Sequence, residues 1–91
     1  MNKSELVDAV AAATGESKSS VGAVIDSTLD TITSTLKGGD KVTFTGFGTF
    51  ERRFREARMG RNPQTGEAVP IAAGHSPAFK AGKKLKDAVR H

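Results

Sequence analysis

Residues 40–50 read DKVTFTGFGTF, and this stretch decides the fold because the hydrophobic pattern of the chain changes there. Before it, apolar residues recur every three or four positions, as in amphipathic helices. Within it, apolar and polar residues alternate, as in a half-buried strand. Gly46 and Gly48 predict a turn between two strands, since glycine adopts backbone angles that other residues resist. We therefore predict one α+β domain over residues 1–91, helical to about residue 39 and built on strands from about residue 40.

Two helices are predicted on the N-terminal side of this stretch. Asn2, followed three residues later by Glu5, has the pattern of a capping box, and Gly15 closes the first run of helical spacing. Ser17 is the next N-cap candidate, and Gly38-Gly39 ends the second run. The apolar stripe of this second helix comprises Val21, Ile25, Leu29, Ile32 and Leu36.

A chain of 91 residues without cysteine has few means of stabilising its small core. Chains near this size bury only roughly 60–65% of the surface that they expose when unfolded. Disulfides and thiolate metal sites are excluded, and two histidines are too few for an ordinary zinc site. The stripe of the second helix is larger than an Ala-rich first helix covers alone. We expect part of it to contact a second chain; the alternative is that it packs only on its own sheet.

The C-terminal half is predicted to carry a protruding arm. A second strand begins at Thr49 and runs into an Arg-rich segment, residues 61–67 have a turn composition, and residues 68–71 form a returning strand. Pro70 has no N–H for a ladder, so this strand belongs at an edge or in an exposed two-stranded ribbon. The segment has little to bury and should project. A short helix is then predicted from near Ala81, with Leu85, Ala88 and Val89 on its inner face.

Positive charge is concentrated in that half. Residues 1–50 carry four basic and six acidic residues, a net of −2, whereas residues 51–91 carry ten basic and four acidic ones, a net of +6; together they give +4. Such asymmetry is typical of proteins that bind a polyanion, either nucleic acid or an anionic membrane surface. A merely solubilising surface is the alternative. Five arginines within residues 52–61 favour the first interpretation, because arginine binds phosphate better than lysine.

The sequence gives little support for an enzyme or for a membrane protein. The acidic residues are scattered and no Cys or His accompanies a nucleophile, so we expect no catalytic site, no metal and no cofactor. The longest apolar run, residues 9–13, has five residues, against about 20 for a membrane span. Residues 1–8 lack the apolar stretch of a secretory signal. We expect a protein of the cytoplasm.

Four arginines and a proline are the candidate groups for DNA contact in the arm. The first strand of the arm, its rising limb, carries Arg53, Arg55, Arg58 and Arg61. Their guanidinium groups can bind phosphate or enter a narrow minor groove. Pro63 lies in the turn between the limbs. It either forms the turn and nothing more, or acts as an apolar wedge between base pairs.

Several runs of residues together resemble the signature of the bacterial HU and integration host factor family. They are GFGTF at 46–50, REAR at 55–58, GRNPQTG at 60–66, MNKSEL at 1–6 and PAFKAGK at 77–83. The resemblance covers essentially the whole chain. It implies an intertwined dimer with two helices per chain at its base, a three-stranded antiparallel sheet, a β-ribbon arm that enters the minor groove and a short C-terminal helix.

The resemblance also implies which residues bind DNA and which hold the dimer together. Pro63 would be the intercalating wedge. The expected DNA-binding residues are Lys3, Arg53, Arg55, Arg58, Arg61, Asn62, Pro63, Lys80, Lys83 and Lys86. The expected dimer core is Ile25, Leu29, Ile32, Leu36, Phe44, Phe47, Phe50 and Phe79.

The function that this implies is architectural: bending and compacting chromosomal DNA in the nucleoid, with little dependence on sequence, because the minor groove carries a degenerate code. Since unstacking base pairs costs energy, nicked, gapped or bent double-stranded DNA should bind more tightly. We expect a homodimer and no membrane contact. A sequence-specific subunit like those of integration host factor is the alternative.

A few positions depart from the family pattern. Arg52 stands where an aliphatic residue is usual, and Phe54 where a polar one is frequent. Either a local exchange of strand faces or recruitment of Arg52 to the DNA surface would explain this. Met59 is expected to pack within the ribbon, and His75 to lie in a solvated loop.

Overall fold

The computed structural model describes residues 1–90 and contains three helices and five strands. In chain order they are α1 (Lys3–Thr14), α2 (Lys18–Lys37), β1 (Val42–Phe44), β2 (Gly48–Arg55), β3 (Arg58–Arg61), β4 (Ala68–Ile71), β5 (Gly74–Ala81) and α3 (Lys83–Val89). The α+β class is therefore confirmed. By contacts between residues the chain divides into two compact units, residues 1–34 and the part from Thr35 onward.

Local capping sets the helix boundaries. The side-chain oxygen of Asn2 accepts from the backbone N–H of Glu5 (2.9 Å), and the carboxylate of Glu5 accepts from the N–H of Asn2 (3.3 Å), so the predicted capping box is confirmed. Gly15 ends α1 in the left-handed region with φ 76°. The hydroxyl of Ser17 accepts from the N–H of Ser20 (3.1 Å) at the start of α2.

Strands β1, β2 and β5 form one antiparallel sheet with β2 in the centre, and β3 and β4 form a separate two-stranded ribbon. The ribbon confirms the interpretation of Pro70, which lies in β4 opposite Met59. Between β1 and β2 the chain turns at Gly46, with φ 85°. This turn also binds the start of α3. The carbonyl of Phe47 accepts from the N–H of Gly82 (2.7 Å), and the carbonyl of Gly46 accepts from the N–H of Leu85 (3.2 Å).

The register of the three-stranded sheet separates an apolar from a polar face. Val42, Phe50 and Phe79 align across the strands on one face, and the rings of Phe50 and Phe79 lie 4.8 Å apart between centroids. Thr43, Thr49 and Lys80 align on the other. Because side chains alternate along a strand, every second residue of β2 belongs to the polar face.

The C-terminal segment differs from the prediction. Residues 74–81 form β5, which pairs with all eight residues of β2, whereas a loop is expected around His75. The predicted short C-terminal helix is confirmed and begins at Lys83. Gly82 is extended (φ −80°, ψ 166°) and separates the two elements. Of the predicted inner face of this helix, Leu85 is half-buried, whereas Ala88 and Val89 are exposed.

Candidate nucleic-acid interface

The polar face of the three-stranded sheet carries Arg53 and Arg55 on β2 and Lys80 on β5. Opposite the two arginines, β5 has Ser76 and Gly74. These small partners leave both arginines exposed. The face therefore presents three long cationic side chains, which can donate several hydrogen bonds to phosphate oxygens.

The predicted rising limb is not one continuous strand. The strand is interrupted at residues 56–57. Arg53 and Arg55 therefore belong to the three-stranded sheet, and only Arg58 and Arg61 of the four belong to the ribbon. Arg58 lies opposite Ile71, and Arg61 lies opposite Ala68. Residues three apart on a strand point to opposite faces, so the two arginines flank the ribbon on both sides.

Hydrogen bonds close the tip of the ribbon around Asn62. Its backbone N–H donates to the carbonyl of Glu67 (2.8 Å), and its own carbonyl accepts from the N–H of Gly66 (2.7 Å). Its side-chain oxygen accepts from the N–H of Gln64 (2.9 Å), which makes an Asx turn. Arg61 adds a bond from Nη1 to the carbonyl of Gly66 (3.0 Å). Pro63 is consequently exposed at the corner of a closed loop.

The remaining expected DNA contacts lie on three elements. Lys3 begins α1, in the first compact unit, and its ammonium pairs with the carboxylate of Asp26 (2.5 Å). Lys80 is on β5, and Lys83 and Lys86 are on α3, in the second unit. All four are exposed.

Arg52 lies on the apolar face of the sheet, together with Phe50 and Phe54. Its Nη1 donates to the carbonyl of Lys37, the last residue of α2 (3.3 Å). Phe50, Arg52 and Phe54 alternate regularly with their neighbours, so the strand faces are not exchanged here. Arg52 lies on the face opposite to that of Arg53.

Two further expectations are wrong. His75 belongs to strand β5 and not to a loop, and its ring packs against that of Phe54 in a T-shaped arrangement (5.5 Å between centroids, 70° between planes). Met59 remains 64% exposed and borders an open groove with Pro70 and Ile71, so it does not pack within the ribbon.

Sequence reasoning missed one charged residue at this surface. Glu51 lies on β2 two residues before Arg53, and its Oε2 pairs with the Nε of Arg53 (3.3 Å). The signal was present, since an acidic and a basic residue two positions apart on a strand share one face.

Residues 1–90 contain no group of three or more His, Asp or Glu side chains placed to hold a metal ion. None of the helices in this range combines the length and the hydropathy that a membrane span requires.

Known proteins share this architecture. The family model described as "Bacterial DNA-binding protein" matches residues 1–90. A protein named DNA-binding protein HU from Xylella fastidiosa is 57% identical over 90 residues, which cover 99% of this chain and 96% of the relative. DNA-binding protein HU 1 of Bacillus subtilis is also 57% identical, over 98% of this chain and 97% of its own. A solved HU–DNA cocrystal structure from Anabaena superposes with a TM-score of 0.90 at 50% identity, covering 98% of this chain and 97% of that one.

Proposed function

Because the chain belongs to the bacterial DNA-binding protein family, as a relative of HU proteins, we propose that it is an architectural protein that bends and compacts double-stranded DNA. Binding depends little on sequence, since the proposed contacts are phosphates and the minor groove, whose pattern of donors and acceptors is degenerate. It acts in the cytoplasm, on chromosomal DNA in the nucleoid. No catalytic step and no cofactor is part of this function.

The proposed binding mode divides the basic residues between body and arm. Phosphates are bound by two groups of basic residues. The first is Arg53, Arg55 and Lys80 on the three-stranded sheet, and the second is Lys3, Lys83 and Lys86 on the helices. Arg58 and Arg61 flank a ribbon only two strands wide, which can follow the minor groove. Residues at the ribbon tip, Asn62 and Pro63, contact the base pairs.

One observation carries the bending step: Pro63 is exposed at the corner of a tip that hydrogen bonds already close. An apolar side chain on a preformed turn can enter a base step without the entropic cost of first ordering the turn. Unstacking a step costs a few kcal/mol in intact DNA. A nick removes part of that cost, so nicked DNA should be preferred.

We therefore expect Pro63→Ala to lose most of the preference for nicked over intact DNA while its affinity for an intact duplex changes less. The measurement is a gel shift with 30-base-pair duplexes, intact and nicked. Pro70→Ala is the matched control, because it removes a proline from β4 of the same ribbon but not from the tip. It should keep the preference of the wild type.

Equal binding of the wild type to both duplexes would contradict the wedge. A preference lost equally in Pro63→Ala and Pro70→Ala would point to damage of the ribbon instead. Competition between random and selected duplexes tests the sequence independence.

We also propose that the working species is a homodimer, formed through the residues of the expected core, with residues 1–39 as its helical part. Among residues 1–90, Ala11 and Val21 are the buried hydrophobic residues. Leu29 is 53% and Phe47 is 51% exposed, although both are large and apolar. A second chain that covers them would supply the burial that a single chain lacks.

A further inference from the structure

Glu51 is an acidic residue on the polar face of the three-stranded sheet, beside the arginines. On β2 it lies between Thr49 and Arg53, and on β5 it lies opposite Ala78. Its side chain is 17% exposed, whereas that of Arg53 is 50% exposed. Glu51 is thus the more buried member of the pair, and the arginine is the member that can move.

The contact between them occupies one of the donors that a phosphate can use. Glu51 Oε2 lies 3.3 Å from Arg53 Nε. A guanidinium binds an oxyanion in bidentate fashion with two neighbouring N–H groups, and Nε is one donor of the side-on pair. A DNA phosphate in that geometry must displace the carboxylate. Afterwards the carboxylate and the phosphate, two like charges, lie close together.

We propose that Glu51 is an autoinhibitory counter-ion of Arg53. In the free protein the carboxylate of Glu51 pairs with the guanidinium of Arg53. When DNA binds, the guanidinium exchanges this carboxylate for a phosphate. Glu51 then remains as a negative charge beside the DNA and shortens the lifetime of the complex. This inference rests on the proposed DNA-binding function and adds a residue that limits affinity and favours release.

A double-mutant cycle tests the exchange. Glu51→Gln keeps the size of the side chain and removes its charge, and we expect it to bind an intact 30-base-pair duplex about 2- to 5-fold more tightly, the range that exposed ion pairs usually give. In the Arg53→Gln background the same change should have a clearly smaller effect, because the pair is already broken. Dissociation of the wild type should be faster than that of Glu51→Gln.

Glu56→Gln is the matched control, since it removes the same charge from the segment that follows β2. Its effect should not depend on Arg53. Glu51→Thr provides a second way to remove the charge, with a side chain that suits a strand, and should give the same cycle. Melting temperatures of all variants establish that each is folded.

Three results would overturn the proposal. An equal gain from Glu51→Gln with and without Arg53 would mean that only the overall charge matters. Weaker binding of Glu51→Gln, seen only when Arg53 is present, would mean that Glu51 orients the arginine for DNA. A wild-type protein that binds no duplex would overturn the proposed function itself, and so is distinguishable from the first two.

Discussion

Gly48 is the first residue of β2, pairs with Ala81 of β5 and is buried. Its backbone does not require a left-handed conformation, so the reason for glycine is space. A Cβ at this position would overlap the ring of Phe79 and lie 2.8 Å from the carbonyl oxygen of Lys80. The glycine thus allows the ring of Phe79 to pack directly on β2.

At this residue scale we predict that Gly48→Ala lowers the free energy of unfolding by about 1–3 kcal/mol, because the ring or the backbone of β5 must shift. Urea unfolding at a fixed protein concentration measures the change. Gly74→Ala is the control: it lies at the other end of the same strand pair, and a Cβ there would have nothing within 4 Å. It should remain within about 0.5 kcal/mol of the wild type. Equal losses in the two variants would refute the steric explanation.

At the scale of elements, the β3–β4 ribbon depends on its tip. It has no buried core of its own, since the residues of β4 are all exposed. Two-stranded ribbons are marginally stable in water, so the turn must help to hold the register. The side chain of Asn62, which accepts from the N–H of Gln64, is one source of that help.

We predict that Asn62→Ala makes the tip more mobile, whereas Asn62→Ser largely preserves it, because the hydroxyl of serine can accept the same backbone bond. The heteronuclear ¹H–¹⁵N NOE of Gln64 and Gly66 reports this motion without DNA. We expect lower values in Asn62→Ala than in the wild type, and intermediate to normal values in Asn62→Ser. Unchanged values in Asn62→Ala would show that the backbone bonds alone close the tip.

At the scale of the whole molecule, the proposed dimer links stability to concentration. When folding and association are one process, mass action favours the dimer at higher concentration. For a dimer of about 180 residues, the average enthalpy per residue gives a rise in melting temperature of about 4 °C for each tenfold increase in protein concentration. Calorimetric scans over a hundredfold range test this.

A melting temperature independent of concentration would contradict an obligate dimer. Leu29→Gln is a suitable variant, because it changes a residue that is 53% exposed in the single chain. If a second chain covers this position, the substitution should lower the melting temperature and weaken association in sedimentation experiments. If the position is solvated, both should stay as in the wild type.

The sequence by itself determined those features that depend only on neighbours a few positions away. The capping box at Asn2, the end of α1 at Gly15, the turn at Gly46 and the ribbon around Pro70 all follow from such local chemistry. Hydrogen bonds between residues close in sequence form whenever the residue types allow, so pattern and position suffice to predict them.

Only the tertiary structure decided features that join distant segments. Strand β5 forms because residues 74–81 pair with β2, far earlier in the chain, and this pairing places His75 in a strand and not in the expected loop. The bond from Arg52 to the carbonyl of Lys37 likewise spans 15 positions. The partners of β5 are set by the register of the strands across the sheet, and a periodicity read along one segment carries no information about that register.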